Sequence, residues 1–194
     1  MAKNVNIILA STSPRRREVL SKIGLPFSVE ASDYEEDMTL PLSPKRLAVF
    51  LSRGKAEAVA KKHKAGLVIG ADTFVVLGST LLGKPRSRVE AAKMLRRLSG
   101  QRVDLLTGYT IIDAASGRRL SGTDTTTVYI KKLTPGEITN YIASGEPLDK
   151  AGAFAIQGLG AVIIRRIEGD FMGALGLPLY AISRKLKKFG IKIL

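Results

Sequence analysis

The chain has no cysteine and no tryptophan, a single histidine, and only 17 acidic residues against 31 lysines and arginines. Without cysteine there is no disulfide and no cysteine-ligated zinc, and a reducing cytoplasm is the expected home. One histidine, His63, leaves any histidine metal site or Ser-His-Asp triad resting on one candidate; its setting, "KKHK", reads as a solvated helix end. No run approaches the ~20 apolar residues of a membrane helix. The opening "MAKNVNIILA" has too short an apolar stretch for a secretory leader and runs straight into a turn. A soluble intracellular protein with no membrane partner is the expectation.

The shortage of acid leaves a formal net charge of +14. Such an excess attracts polyanions, whether nucleic acid, acidic membrane or phosphorylated small molecules, and does not choose among them. Lysine and arginine enrichment also accompanies hot habitats. Nucleic acid is disfavoured by the lack of tryptophan, by only six Phe and five Tyr, and by the absence of a binding motif. Apolar residues make up 45% of the chain, enough for a sizeable core and too many for disorder. With 194 residues and no linker, repeat or low-complexity segment, residues 1–194 read as one domain.

Periodicity and turn chemistry predict the order of elements. "VNIILA" (5–10) is a strand buried on both faces. Ser13 caps a helix with Pro14 at its first position, ending at Gly24. "PFSVEA" is a short strand, and "SDYEEDMTLPLS" an acidic loop. A helix starts near Pro44 and runs to "KKH". "GLVIGADTFVVLGSTLLGKP" reads as a strand, a bend at Gly-Ala-Asp-Thr, a second strand, a turn at Gly78-Ser79 and a return. "SRVEAAKMLRRLSG" is an amphipathic helix. Long strands at 103–113 and 119–131 form a hairpin. Thr134 caps a short helix, "AGAFAIQGLGAVIIRRIEG" forms two strands around a glycine-rich turn, and a last helix covers 178–188. The pattern predicts an α/β fold: a mixed twisted sheet with long antiparallel hairpins and flanking helices.

One corner breaks a local rule. In "LASTSPRRREVL" a capping box would put Glu or Gln three residues after Ser13; the chain has Arg16 there, between Arg15 and Arg17. Each cation beside the positive end of the helix dipole costs ~0.3–1 kcal/mol. A bound anion relieves this: helix N–H groups, the hydroxyls of Ser11, Thr12 and Ser13, and the guanidinium groups would surround a phosphate chain. The alternative is that the arginines spread into solvent with Glu18 offsetting one.

Carboxylates follow at Glu30, Asp33, Glu35, Glu36, Asp37 and Asp72. Those of the loop read as solvated, above all Asp33 and Asp37. Asp72 stands apart, in a bend at the end of "LVIGA", where a carboxylate commonly faces a cleft. Beside a phosphate site such groups hold Mg²⁺ or draw a proton from water; an Asx-turn is the structural alternative. "GSTLLGKP" matches G-x-x-x-x-G-K, but Pro85 stands where a P-loop needs Ser or Thr, and a hairpin precedes it. Lys84 remains as a point charge for phosphate, or as a surface lysine in a turn.

Together, "LASTSPRRREVL", Glu35-Glu36, "GADT" (70–73), "GKP" (83–85), "SGEPLDKAGAFAIQGLGAVII" (144–164) and "GLPL" (176–179) resemble the Maf family of nucleoside triphosphate pyrophosphatases, in order and over nearly the whole chain. The resemblance implies two lobes around a deep cleft, a divalent cation (Mg²⁺ or Mn²⁺), a nucleoside triphosphate substrate and often a homodimer. It makes Ser11, Arg16, Glu36, Lys55, Asp72 and Lys84 functional, with Asp72 the proton acceptor and Glu36 and Asp72 the metal-holding pair. Arg15, Thr73 and Gln157 match the branch acting on dTTP and UTP; an amide such as Gln157 both donates and accepts, as a uracil-type edge requires. Ser13 joins Ser11 on the substrate side. Gly54, in "SRGKA", departs from relatives that often carry a charge before the lysine, which puts the helix packing around Lys55 in question. The family's septum-formation name leaves a cell-division role as a further reading, beside a basic nucleic-acid-binding protein.

Overall fold

The computed structural model describes residues 6–194; the first residue of the predicted strand at 5–10 and the start of the opening segment lie outside them. Among the described residues, seven strands form one mixed sheet in the order β2-β1-β3-β5-β6-β7, with β4 paired to β3. The strands are β1 (Ile7–Ala10), β2 (Phe27–Glu30), β3 (Leu67–Leu77), β4 (Thr80–Leu82), β5 (Arg102–Asp113), β6 (Arg119–Ile130) and β7 (Ile164–Glu168). The helices are α1 (Pro14–Ser21), α2 (Pro44–Ala60), α3 (Arg88–Leu98), α4 (Pro135–Ala143), the single turn α5 (Phe171–Ala174) and α6 (Leu179–Lys187). The chain divides into two compact units, Met1–Asp72 with Thr107–Asp124 and Leu175–Leu194, and Thr73–Leu106 with Thr125–Ala174.

In the first unit, β1 is buried along its whole length and runs parallel to both neighbours, Ile7 facing Phe27 on one side and Leu67 on the other. Both faces are covered, as its unbroken apolar run requires. α2 buries Leu47, Ala48, Leu51, Ser52, Ala56, Val59 and Ala60 at helical spacing. Two glycines let it lie close on the sheet. A Cβ on Gly70 of β3 would sit 2.3 Å from the Ser52 carbonyl oxygen, and one on Gly108 of β5 would sit 2.2 Å from the Ala48 carbonyl carbon. α6 buries Ile182 and Leu186.

In the second unit, α3 starts at Ser87, whose hydroxyl accepts from the Glu90 N–H, and packs against α4. α4 carries a full capping box between Thr134 and Glu137. Lys131 donates to the same Glu137 at 2.6 Å, and this ion pair with the capping bonds lowers that carboxyl to about 2. β6 and β7 pair antiparallel, Thr127 facing Glu168.

Four expectations change. β3 runs unbroken through Gly70-Ala71-Asp72-Thr73, so Asp72 projects from mid-strand rather than from a bend. The segment predicted as two strands has only β7; before it lie 3-10 turns at Ala151–Ala153 and Gly158–Ile163, because glycines at positive φ (Gly152, Gly158) break an extended path. His63 is not merely solvated: it lies just past the end of α2 and bonds the Glu30 carboxylate of β2 at 2.7 Å. Glu18, offered as the offset for an arginine, pairs with Lys22 at 3.8 Å.

Candidate active site

The strand-to-helix corner after β1 is held by hydroxyls. Ser11, 7% exposed, accepts from the Ser13 N–H (3.2 Å) and from the Arg16 guanidinium (3.4 Å), while Ser13 caps α1 by accepting from the Arg16 N–H (3.4 Å). With its acceptor side engaged, the Ser11 hydroxyl has its proton left to offer an anion. The three arginines are not equivalent. Arg17 is exposed, Arg15 is partly buried, and Arg16 turns inward to donate from Nε to the Gly176 carbonyl at 3.0 Å. Burial lowers the Arg16 guanidinium from its ordinary value, Asp72 and Glu36 pull it back up, and Arg15 lowers it further.

Gly70 prepares the centre. Side chains alternate along a strand, so Gly70 and Asp72 share one face of β3. Because Gly70 lacks a side chain, the α2 backbone at Ser52 and Ala56 comes down on that face, and Lys55 beside them reaches Asp72. The Lys55 ammonium bonds Asp72 Oδ1 and, at 2.8 Å, Glu36 Oε1. Lys55 and Asp72 side chains are 12% and 8% exposed and Glu36 is 44% exposed, so the pair is shielded while Glu36 sits at the solvent edge. Burial raises the Asp72 carboxyl from its ordinary value; Lys55 and Arg16 work against it, and the like charge of Glu36 adds to the rise. Asp72 Oδ2 is buried with no hydrogen-bond partner. A buried carboxylate oxygen without a donor is costly and marks a position that a proton or cation completes.

Sequence reasoning missed two contributors. Gly176 of "GLPL" is one: its carbonyl fixes Arg16, a contact across the chain that no local pattern announces. Tyr34 is the other. Its ring lies over Gly54, where a Cβ would meet Cζ at 2.3 Å. Gly54 therefore does not disturb the helix before Lys55. It forms the seat that pins the acidic loop, whose Glu36 lies two residues beyond Tyr34. The signal was the glycine itself, which an exposed helix interior disfavours by ~0.5–1 kcal/mol relative to alanine.

The other predicted residues belong to the second unit. Thr73 follows Asp72 along β3. Lys84 is exposed just past β4, where the Gly83 carbonyl accepts from the Gly152 N–H at 2.9 Å. Gln157 is exposed at the start of the Gly158–Ile163 turn.

Two carboxylates and two cations are grouped at a hydroxyl-lined corner of a mixed α/β sheet, with one carboxylate oxygen left without a donor. The fold is shared with a HAM1 protein of Coxiella burnetii, at TM-score 0.52 and 16% identity, covering 95% of this chain and 99% of that one. The sequence matches the family model described as Maf-like protein over residues 6–189, and the chain belongs to that family. It is 50% identical over 188 residues to a protein of Methanosarcina barkeri (strain Fusaro / DSM 804), covering 96% of this chain and 95% of the relative. It is 47% identical over 192 residues to one of Thermoanaerobacter sp. (strain X514), covering 98% and 100%. Both relatives are called dTTP/UTP pyrophosphatase.

Proposed function

We propose that this chain is a nucleoside triphosphate pyrophosphatase that hydrolyses dTTP and UTP to the monophosphate and pyrophosphate. The substrate follows from relatives of that name at 50% and 47% identity. The observation that carries the chemistry is Asp72: a buried carboxylate with one oxygen on Lys55 and the other unpartnered.

Asp72 Oδ2 takes a proton from water as the water oxygen attacks the α-phosphorus. The bond from that phosphorus to the α–β bridging oxygen breaks, and pyrophosphate leaves. The raised Asp72 carboxyl serves this, since a base works best with its value moved toward the operating pH. Ser11, Ser13, Arg15, Arg16, Lys55 and Lys84 bind the triphosphate, and Arg15, Thr73 and Gln157 read the base or its surroundings. Positioning and charge dominate, as in phosphoryl transfer generally.

Arg16 and Lys55 are already matched by Glu36 and Asp72, so this cluster alone does not neutralise a triphosphate. That balance, with Glu36 at the solvent edge of the cluster, fits a hard divalent cation, Mg²⁺ or Mn²⁺, which Glu36 and Asp72 would hold while Asp72 Oδ2 stays turned to the attacking water. No group of three or more His, Cys, Asp or Glu residues suited to a metal is present among the described residues; phosphate oxygens and water would complete the shell. When bound, the cation supplies further neutralisation of the phosphate oxygens. A homodimer and a cytoplasmic home belong to the same proposal; they rest on the family resemblance and on the absence of cysteine. No helix among the described residues is long and apolar enough to cross a membrane.

Pyrophosphate release across a panel of nucleoside triphosphates, with and without Mg²⁺, tests the reading. The highest kcat/KM is expected with dTTP and UTP, and none without divalent cation. A preference for purine triphosphates, or no turnover of any nucleotide, overturns it.

A further inference from the structure

Glu146 commits both carboxylate oxygens to the loop that carries Gln157. Oε1 accepts from the Tyr141 hydroxyl and from the Gly160 N–H, both at 2.8 Å, and Oε2 accepts from the Leu159 N–H at 2.9 Å. The Tyr141 hydroxyl in turn accepts from the Ala155 N–H at 3.1 Å. The chain is thus gripped at Ala155 and again at Leu159 and Gly160. Between the grips lie Ile156, which is buried, and Gln157 and Gly158, which are exposed.

The glycines are shaped to this grip. A Cβ on Gly158 would lie 2.3 Å from Glu146 Oε2, and one on Gly160 would lie 2.1 Å from the Ala155 carbonyl oxygen and 2.5 Å from the Tyr141 hydroxyl. The segment entering the loop is also held off its preferred backbone: Ala153, fully buried, has φ +60, which a residue with a side chain rarely adopts. Burial works to raise the Glu146 carboxyl, but the bonds from Tyr141, Gly160 and Leu159, with Lys150 nearby, outweigh it and hold the group below its ordinary value. The grip is therefore ionised and closed at neutral pH.

We infer that Glu146, acting with Tyr141, is a positioning residue for nucleotide selection: it fixes residues 156–158 so that the Gln157 amide meets the base edge of a pyrimidine triphosphate. The inference rests on the reading of Gln157 as a base contact. Glu146 touches no reacting atom. Its effect passes through the loop backbone, because hydrogen-bond readout of a base fails when the reading amide is free to wander.

Four variants test it: Glu146→Gln, which keeps one acceptor oxygen, Glu146→Ala, Tyr141→Phe, which removes the bridging hydroxyl with little change of shape, and Gln157→Ala. Steady-state kinetics with dTTP, UTP and GTP are the readout. With Glu146→Ala, KM for dTTP and UTP should rise about tenfold with kcat nearly unchanged, the scale of one lost hydrogen bond to the base. GTP turnover should change little, so discrimination collapses, and the Gln and Phe variants should fall between. Glu146→Ala combined with Gln157→Ala should lose no more discrimination than Gln157→Ala alone, the mark of one pathway in a double-mutant cycle. If Gln157→Ala leaves the dTTP/GTP ratio unchanged, the base-contact reading fails. If Gln157→Ala lowers the ratio while the well-folded Tyr141→Phe and Glu146→Gln keep it, or lower kcat equally for every nucleotide, the Glu146 inference fails while the base-contact reading stands.

Discussion

Asp72 carries two consequences that separate at the level of a single side chain. Asp72→Asn keeps the shape and removes the proposed base, so kcat for dTTP should fall by ~10²–10⁴-fold, the usual worth of a positioned proton acceptor. Stability should move the other way. Burial holds the folded Asp72 carboxyl above its ordinary 3.8, so folding disfavours its ionised form relative to the unfolded chain. Its contribution is fully present below 3.8 and is lost as pH rises through the raised folded value, which leaves a penalty at neutral pH. Asparagine does not titrate, and Lys55 keeps Glu36 at 2.8 Å. The Tm of Asp72→Asn should therefore exceed that of the parent at pH 7, and the gap should close as pH drops toward 3.8. Thermal unfolding at a series of pH values checks this; a lower Tm at pH 7 contradicts the burial argument. At this scale the sequence was informative where a residue broke a local rule. Arg16 stood where a capping box wants an acid, and Asp72 interrupted an apolar run. It was silent on Gly176 and Glu146, whose partners are distant in the chain or chosen by a turn that forms only on folding.

Helices and strands were legible where periodicity and caps agree. Ser13, Ser87 and Thr134 each accept the capping bond that starts its helix, and β5, β6 and α6 fall within a residue or so of their predicted limits. Reading failed where glycine carries two meanings. "GADT" looked like a bend, yet Gly70 is an extended residue of β3 whose bareness admits α2. "AGAFAIQGLG" looked like a strand with a turn, yet its glycines close 3-10 turns around a carboxylate. In both cases the reason lies in what approaches the backbone, which one sequence does not encode locally. Gly70→Ala tests the first. Its Cβ would meet the Ser52 carbonyl oxygen at 2.3 Å, and backbone rather than a flexible side chain must yield. Overpacking of this kind costs ~1–3 kcal/mol, a Tm loss on the order of 2–12 °C for a chain of this size. As α2 is pushed off β3, Lys55 leaves Asp72, so kcat should fall as well. Unfolding and turnover measured on the same preparation decide it: an unchanged Tm means α2 does not depend on the bare strand.

The whole chain explains both what composition revealed and what it hid. No composition shift marked two units, because the chain passes between them inside β3 at Asp72 and Thr73, inside β5 at Leu106 and Thr107, and inside β6 at Asp124 and Thr125. A boundary inside a strand has no linker to read. The net charge of +14 was legible at once but ambiguous, since nucleic acid and nucleotide are both polyanions. Salt separates them. A triphosphate steered by the summed field and then held at Ser11, Arg16 and Lys55 should lose association rate as ions screen the field, while interactions in the shielded cluster persist. Between ~20 and ~300 mM NaCl, kcat/KM for dTTP should drop several-fold with kcat nearly constant. Binding to duplex DNA neutralises many phosphates at once and should collapse by ~10³-fold or more over the same range. A protein built for nucleic acid would show that steeply salt-dependent DNA binding and turn over no nucleotide. If a titration with labelled DNA finds that behaviour, the charge serves a different partner and the phosphate corner is not the centre of this molecule's work.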